Sequence, residues 1–288
     1  MLPNLIVIGA ARSGTSSLYY YLAHHPEVTM SRRKELRFFG DRYSQWDRGV
    51  DWYEAQFDGA DTPVRGEASP QYTRYPVRKQ VPEQMCQVVP DARLIYLVRD
   101  PIERIVSEYV DAYSSRRARG AFAQAIRTKL GQQWLAESSY HQQLERFLAH
   151  YPQEQILVIA TEKLRDHRRE TLVAVFEFVG VDPTFDSARF DVLRNQSSEL
   201  RRIEGPAWVT KRLRPKSTGR IPWDVRARVK RALYAPWLLP VQRPELEPSV
   251  RRELVERFAP EMERFHALTG KRFEQWSIWS EAETLAKP

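Results

Sequence analysis

An α/β fold, built on a central, mainly parallel sheet flanked by helices, is the class that this 288-residue sequence predicts. Three observations carry the prediction. Short runs such as Leu5-Ile6-Val7-Ile8 and Leu94-Ile95-Tyr96-Leu97-Val98 are apolar throughout rather than alternating, which marks strands buried on both faces. Amphipathic helical patterns separate these runs, and strand and helix alternate over most of the chain. The two strongest runs each end in residues that open a helix, Gly9 to Thr15 in one case and Asp100-Pro101 in the other.

In order, Asn4–Gly9 reads as the first strand and Thr15–His24 as the first helix, stopped by Pro26. Val28–Met30 and Val64–Glu67 read as short strands, the latter ending at the breaker Ser69-Pro70. Ala92–Val98 is a strand, followed by a helix from Pro101 to about Ser114 with Asp100 as its N-cap. Trp134–His150 reads as helix, Gln155–Ala160 as strand, and Arg165–Val179 as a helix closed by Gly180. Ser249–Leu268 is a last amphipathic helix, interrupted near Pro260 and ended by Thr269-Gly270. The stretch between, Asn195–Pro248, holds seven of the 19 prolines and no clear strand, so it is read as an irregular or helical cap. Residues 1–288 are expected to form a single domain carrying this cap at about 195–248.

Eight Trp, 13 Tyr and 12 Phe supply a sizeable core and exclude disorder for the bulk of the chain. The lone Cys86 excludes an internal disulfide and a cysteine-rich metal site, and no metal-ligand cluster is evident. No apolar run approaches the ~18–20 residues of a spanning helix. Met1–Asn4 leads straight into the first strand without room for a signal peptide, so a cytoplasmic protein is expected. The net charge is +8, and eleven Lys/Arg crowd between Arg201 and Arg231 against only Glu204 and Asp224. Such a patch suits an anionic partner: a phosphorylated cofactor, an acidic substrate, a membrane surface or nucleic acid.

Chemistry concentrates in three motifs. Gly9-Ala10-Ala11-Arg12-Ser13-Gly14-Thr15-Ser16-Ser17 joins the first strand to the first helix. A Gly-bounded turn at a helix N-terminus offers backbone N–H groups and a favourable dipole to a phosphate or sulfate. Gly9-x4-Gly14 has P-loop spacing, but Thr15 stands where nucleotide hydrolases need Lys, and the cation sits inside the loop as Arg12. The predicted class is thus a P-loop-like three-layer fold. Arg99, just past the end of a strand, and Ser107, two turns into the next helix, form a second anion element on the ligand edge of such a sheet. Lys34-Glu35-Leu36-Arg37-Phe38-Phe39 offers Glu35 as a general base. Among the histidines, His24 and His25 close the first helix, and His141 is the reserve candidate for the base.

Together, in this order and spacing, the three motifs resemble the sulfotransferases that use 3′-phosphoadenosine 5′-phosphosulfate (PAPS), above all the heparan-sulfate-type and related bacterial carbohydrate-type members. The likeness extends through Gly66-Glu67-Ala68-Ser69-Pro70, Tyr140–Gly180 and Asn195–Arg201. It implies that Arg12, Ser13, Gly14, Thr15, Ser16 and Ser17 hold the 5′-phosphosulfate, that Arg99 and Ser107 hold the 3′-phosphate, that Arg201 helps close over the cofactor, and that Glu35 is the catalytic base. The implied reaction is in-line sulfuryl transfer to a hydroxyl of a carbohydrate, glycolipid or small molecule, without metal or nucleic acid, leaving adenosine 3′,5′-bisphosphate.

Two departures shape that expectation. Many members carry Lys where Arg12 stands; a guanidinium stays protonated, so the leaving phosphate is stabilised here rather than protonated. Ala68 replaces the Lys of the heparan-type Glu-Lys-Thr/Ser-Pro pattern, which removes a cation from the acceptor pocket. On residues alone two other readings stay open. A nucleotide-dependent phosphotransferase would have a similar loop but needs its Lys and a magnesium-holding carboxylate. A non-catalytic anion or membrane binder would rely on the basic cap and not on Arg99.

Overall fold

Five parallel strands form the central sheet of the computed structural model, which describes residues 1–192, 201–203 and 238–285. They are β1 (Leu5–Gly9), β2 (Val28–Met30), β3 (Val64–Ala68), β4 (Arg93–Val98) and β5 (Ile156–Ala160). Their order is β2-β3-β1-β4-β5, with Leu5 opposite both Gly66 and Arg93 and with Leu94 opposite Ile156. β1 is central and buried along its whole length, as its unbroken apolar run requires.

Alternation along the strands splits the core in two. Leu5, Val7, Ile95 and Leu97 pack against α1 (Thr15–Leu22) and, beyond it, Leu172, Val175 and Phe176 of a later helix. Ile6, Ile8, Leu94 and Tyr96 face the other side, toward α3 (Val81–Val88), α4 (Pro101–Ser114) and the C-terminal helices. A short α2 (Gly49–Glu54) precedes β3, and α5 (Phe122–Ala125) follows α4. Asp100 caps α4 as expected, accepting from the N–H groups of Ile102 at 2.9 Å and Glu103 at 3.2 Å.

Three of the helices differ from expectation. Trp134–His150 is two helices, α6 (Lys129–Glu137) and α7 (Tyr140–Leu148). The break falls at Ser138, whose buried hydroxyl donates back to Trp134 O and accepts from Arg104 Nη1. The helix placed at Arg165–Val179 is also two, α8 (Thr161–Asp166) and α9 (Arg168–Val179). His167 separates them, its φ of −124° lying outside helical space. Conversely, α10 (Pro248–Thr269) runs unbroken through Pro260. Val255, Phe258, Met262 and Phe265 on its inner face are all buried, and that packing outweighs a proline's cost of ~3 kcal/mol. α11 (Ser277–Leu285) ends the described chain.

Most of the cap at 195–248, including the basic cluster after Ile203, lies outside the described residues. Its described part holds one strand pair where none was expected, β6 (Arg201–Ile203) antiparallel to β7 (Leu238–Pro240). No helix among the described residues is long and apolar enough to cross a membrane.

Arg104, wholly buried on α4, ties that helix to α6. Its Nη2 donates to Glu137 Oε2 at 2.8 Å and its Nη1 to Ser138 Oγ at 2.9 Å. A buried pair that loses one member leaves an uncompensated charge. Urea unfolding should therefore show Arg104→Ala destabilised by about 3–5 kcal/mol. Arg127→Ala, which breaks an exposed pair with Glu253, should cost less than ~1 kcal/mol. Equal losses would mean that the buried network contributes nothing beyond surface charge.

Candidate active site

All five strands send their carboxyl ends to one edge of the sheet, and a cavity of about 740 Å³ opens there. Residues following every strand line it: Arg12 after β1, Lys34, Glu35 and Arg37 after β2, Gln71 and Arg74 after β3, Arg99 after β4, and Thr161 and Glu162 after β5. Helix α4 contributes Ser107, Glu108 and Asp111. Cations outnumber carboxylates in this lining.

The loop after β1 is shaped by close approach. A Cβ on Gly9 would lie 2.0 Å from Thr73 Oγ1, so no larger residue fits there. Gly14 takes φ +81° as the N-cap of α1, and no side chain caps that helix. The first N–H groups of α1 thus have no side-chain cap, an arrangement that suits an anion. Gly14, Thr15, Ser16 and Ser17 line the cavity. Arg12, itself left-handed at φ 68°, reaches across to α4. Its Nε donates to Ser107 Oγ at 3.2 Å and its Nη1 to Asp111 Oδ1 at 3.2 Å. Ser13 differs from its neighbours. Its side chain is wholly buried, its Oγ has no hydrogen-bond partner, and its carbonyl accepts from Thr161 Oγ1 at 2.8 Å.

Arg99 is held by its backbone. The buried Tyr140 hydroxyl donates to Arg99 O at 2.7 Å and accepts from Arg99 N at 3.3 Å. Burial pushes that hydroxyl well up, so it stays a donor. The Arg99 guanidinium pairs with Glu103 at 3.3 Å, leaving part of its fork toward the cavity. Asp100 is anchored from two sides. Its N–H donates to Glu162 Oε1, and its Oδ2 accepts from Ser277 N at 2.7 Å and Ser277 Oγ at 2.8 Å. Trp276 Nε1 in turn donates to Glu162 Oε2 at 3.1 Å.

Glu35 sits on a strained turn, with φ 64° at Glu35 and 55° at Arg37. Its N–H donates to Ala68 O, at the end of β3. Its Oε2 accepts from Arg37 Nη2 at 2.6 Å and Gln71 Nε2 at 2.7 Å, and Lys34 Nζ lies 3.4 Å from Oε1. Burial pushes the carboxyl up, but the Arg37 hydrogen bond, the Lys34 charge, the Gln71 hydrogen bond and the Arg37 charge together hold it down at about 2.

The turn itself hangs on Glu67, fully buried at the end of β3. Tyr72, Ser69 and Tyr53 donate their hydroxyls to it at 2.6, 2.7 and 2.8 Å. Ser69 Oγ then accepts from Arg37 N, and Tyr72 OH from Phe38 N, each at 3.0 Å. The turn that carries Glu35 is thus bonded, through two hydroxyls, to one interior carboxylate.

The structure brings Arg12, Gly14, Thr15, Ser16, Ser17, Glu35, Arg99 and Ser107 to one cavity. No histidine lines it among the described residues. His141 is half-buried on α7, while His24 and His25 bond to the backbone oxygens of Tyr20 and Asp182. Arg201 lies in β6, and its side chain is outside the described residues. Sequence reasoning missed Gln71, Arg74, Asp111, Tyr140 and Glu162. For Asp111 a signal existed, since it stands one helical turn after Ser107.

Comparison with known proteins agrees with this geometry. The family model described as Sulfotransferase domain matches residues 2–265. Human heparan sulfate glucosamine 3-O-sulfotransferase 3B1 is 27% identical over 282 residues, covering 94% of this chain and 64% of that protein. The chain spans 22% to 64% of the length of the first curated relatives it matches. A sulfotransferase from Alicyclobacillus acidocaldarius, of known crystal structure, is 25% identical with a TM-score of 0.66, over 96% of this chain and 99% of that one. Mouse sulfotransferase SULT7A1 complexed with PAP shares the fold at 14% identity and a TM-score of 0.52, over 98% of this chain and 89% of that one. With a family match along most of its length and a parallel sheet that gathers the loops after its strands at one edge, this chain belongs to the sulfotransferase domain family.

Proposed function

We propose that the chain is an enzyme that transfers a sulfuryl group from PAPS to a hydroxyl of a carbohydrate, glycolipid or small-molecule acceptor, leaving adenosine 3′,5′-bisphosphate. One observation carries the reading: two separate anion-binding elements, the loop after β1 and Arg99 after β4, line one cavity with an ionised carboxylate, Glu35. PAPS suits that arrangement because its anionic groups lie at two places on one nucleoside. The cationic excess of the lining supports the same fit. Likeness to a heparan sulfate 3-O-sulfotransferase supports a carbohydrate acceptor.

PAPS supplies an activated sulfuryl group, and the bond to its 5′-phosphate is the one that breaks. The chain does the rest by position and charge. The N–H groups opening α1 and the permanently charged Arg12 stabilise the oxygen that leaves. Arg99 and Ser107 bind the 3′-phosphate, and because Ser107 also accepts from Arg12, the two subsites meet on one face of α4. Glu35 takes the acceptor proton. Its three close donors keep it ionised at neutral pH and also lower its basicity, so the incoming hydroxyl has to displace part of their hold. On this reading residues 1–288 form one such domain acting in the cytoplasm, with 195–248 as a basic cap whose Arg201 closes on the nucleotide and whose surface suits peripheral contact with an anionic membrane.

Titration calorimetry in EDTA should show adenosine 3′,5′-bisphosphate binding more tightly than ADP, and Arg99→Ala should weaken the bisphosphate by about tenfold to hundredfold. Equal affinity for the two nucleotides would return the phosphotransferase or plain-binder reading. Glu35→Gln should lower sulfate transfer to a panel of methyl glycosides and aryl alcohols by ~10²–10⁴ while bisphosphate affinity holds. Near-normal transfer would remove Glu35 as the base. Arg37→Gln removes the donor at 2.6 Å, so the acid limb of the pH–rate profile should move up from about 2 toward the ordinary carboxylate value. An unmoved limb would show that Glu35 does not govern it.

A further inference from the structure

We propose that Arg74 is a catalytic residue that binds the non-bridging oxygens of the sulfuryl group during transfer, an assignment that rests on the PAPS reading above. The other cations near the reacting centre are already engaged. Arg12 donates to Ser107 and Asp111, Arg37 and Lys34 donate to Glu35, and Arg99 donates to Glu103. Arg74 lines the same cavity but donates no hydrogen bond among the described residues, and its buried Nε makes an ion pair without hydrogen-bond geometry. Its nearest carboxylates are Glu137 Oε1, 3.3 Å from Nε, and Glu108 Oε1, 3.6 Å from Nη2. Both are shared with Arg104, which takes Glu137 Oε2 at 2.8 Å. Those ion pairs hold the Arg74 charge in place without a hydrogen bond from its fork.

Its position points to the group it would bind. Arg74 directly follows the 3₁₀ turn Pro70–Thr73, whose Gln71 donates to Glu35 at 2.7 Å. On its other side stands Glu108, the neighbour of Ser107, which accepts from Arg12. Arg74 thus shares one cavity with the proton acceptor and the cation that faces the leaving group. In an in-line transfer the sulfur lies between those two groups, within the cavity that Arg74 lines. The acceptor oxygen–sulfur bond forms as the sulfur–oxygen bond to the 5′-phosphate breaks, the electron pair goes to the phosphate oxygen, and the acceptor proton goes to Glu35. Charge on the sulfuryl oxygens has to be met throughout, and a planar fork matches two of them at once. The loop after β1 and the Arg99–Ser107 element already answer for the two phosphates, so the sulfuryl oxygens are the anionic group left for Arg74.

The test compares two ligands that differ by that group alone. Calorimetry on the full chain, without acceptor, would measure adenosine 3′,5′-bisphosphate and PAPS against wild type, Arg74→Gln and Arg74→Lys. Arg74→Gln should weaken PAPS by about tenfold to hundredfold and the bisphosphate by no more than about twofold. Arg74→Lys keeps a charge against Glu108 and Glu137, so it protects the fold, yet it lacks the fork. It should lose PAPS affinity selectively by at least about threefold, and it decides the matter if Arg74→Gln does not fold. Parallel weakening of both ligands, or weakening of neither, overturns the assignment. Wild type that binds neither ligand overturns the PAPS reading itself, a result distinct from failure of Arg74.

Discussion

Parallel strand direction is the constraint from which the site follows. Because β1 to β5 all run the same way, every strand must return through a crossover, and every carboxyl end arrives at the same edge. The segments that leave those ends carry Arg12, Glu35, Gln71, Arg99 and Glu162, so groups far apart in the chain share one cavity without any long loop reaching for it. Burial on both faces fixes the sheet in turn. Leu5 and Val7 belong to one core and Ile6 and Ile8 to the other, so a one-residue slip of β1 would exchange both sets.

Buried charge then sets the geometry at that edge. Glu67 is costly to bury, and burial raises its pKa above the ordinary carboxylate value despite hydroxyls from Tyr72, Ser69 and Tyr53. Two of those hydroxyls pass the constraint on to the N–H groups of Arg37 and Phe38. A turn with two left-handed non-glycine residues is thereby held where it would otherwise relax. On the opposite side the C-terminal segment does similar work, since Trp276 and Ser277 fasten Glu162 and Asp100 beside Arg99. Both braces act through backbone or through a neighbour, leaving the side chains that face the cavity available to a ligand.

Electrostatics in the cavity is a balance rather than a simple basic patch. Arg12 is matched by Asp111, Arg99 by Glu103, and Glu35 by Lys34 and Arg37. A polyanion of the proposed kind would have to exchange these internal partners for its own oxygens, which would take part of its affinity. Arg74 is matched by Glu108 and Glu137, both of which it shares with Arg104.

Features set by a few adjacent residues were legible in the sequence. The β1 and β4 runs, the Gly9-to-Gly14 loop, the Asp100-Pro101 cap and the Gly180 stop all express local backbone preference or hydrophobic period, which act over one or two turns. Glu35, Arg12 and Arg99 were legible as candidates for the shared cavity because each sits in such a local frame. Tertiary structure alone decided what these residues touch. Ser107 and Arg12 are 95 residues apart, and Ser277 and Asp100 are 177 apart, so their pairing depends on strand order and helix placement that no local pattern encodes. Packing overruled local rules as well: the buried face of α10 carries the helix through Pro260, while Arg104 and Trp134 draw on the Ser138 hydroxyl where the helix was expected to continue. Local sequence fixes backbone shape because its energies are short-ranged. The partners of a buried charge are chosen only when the whole chain has excluded water from around it.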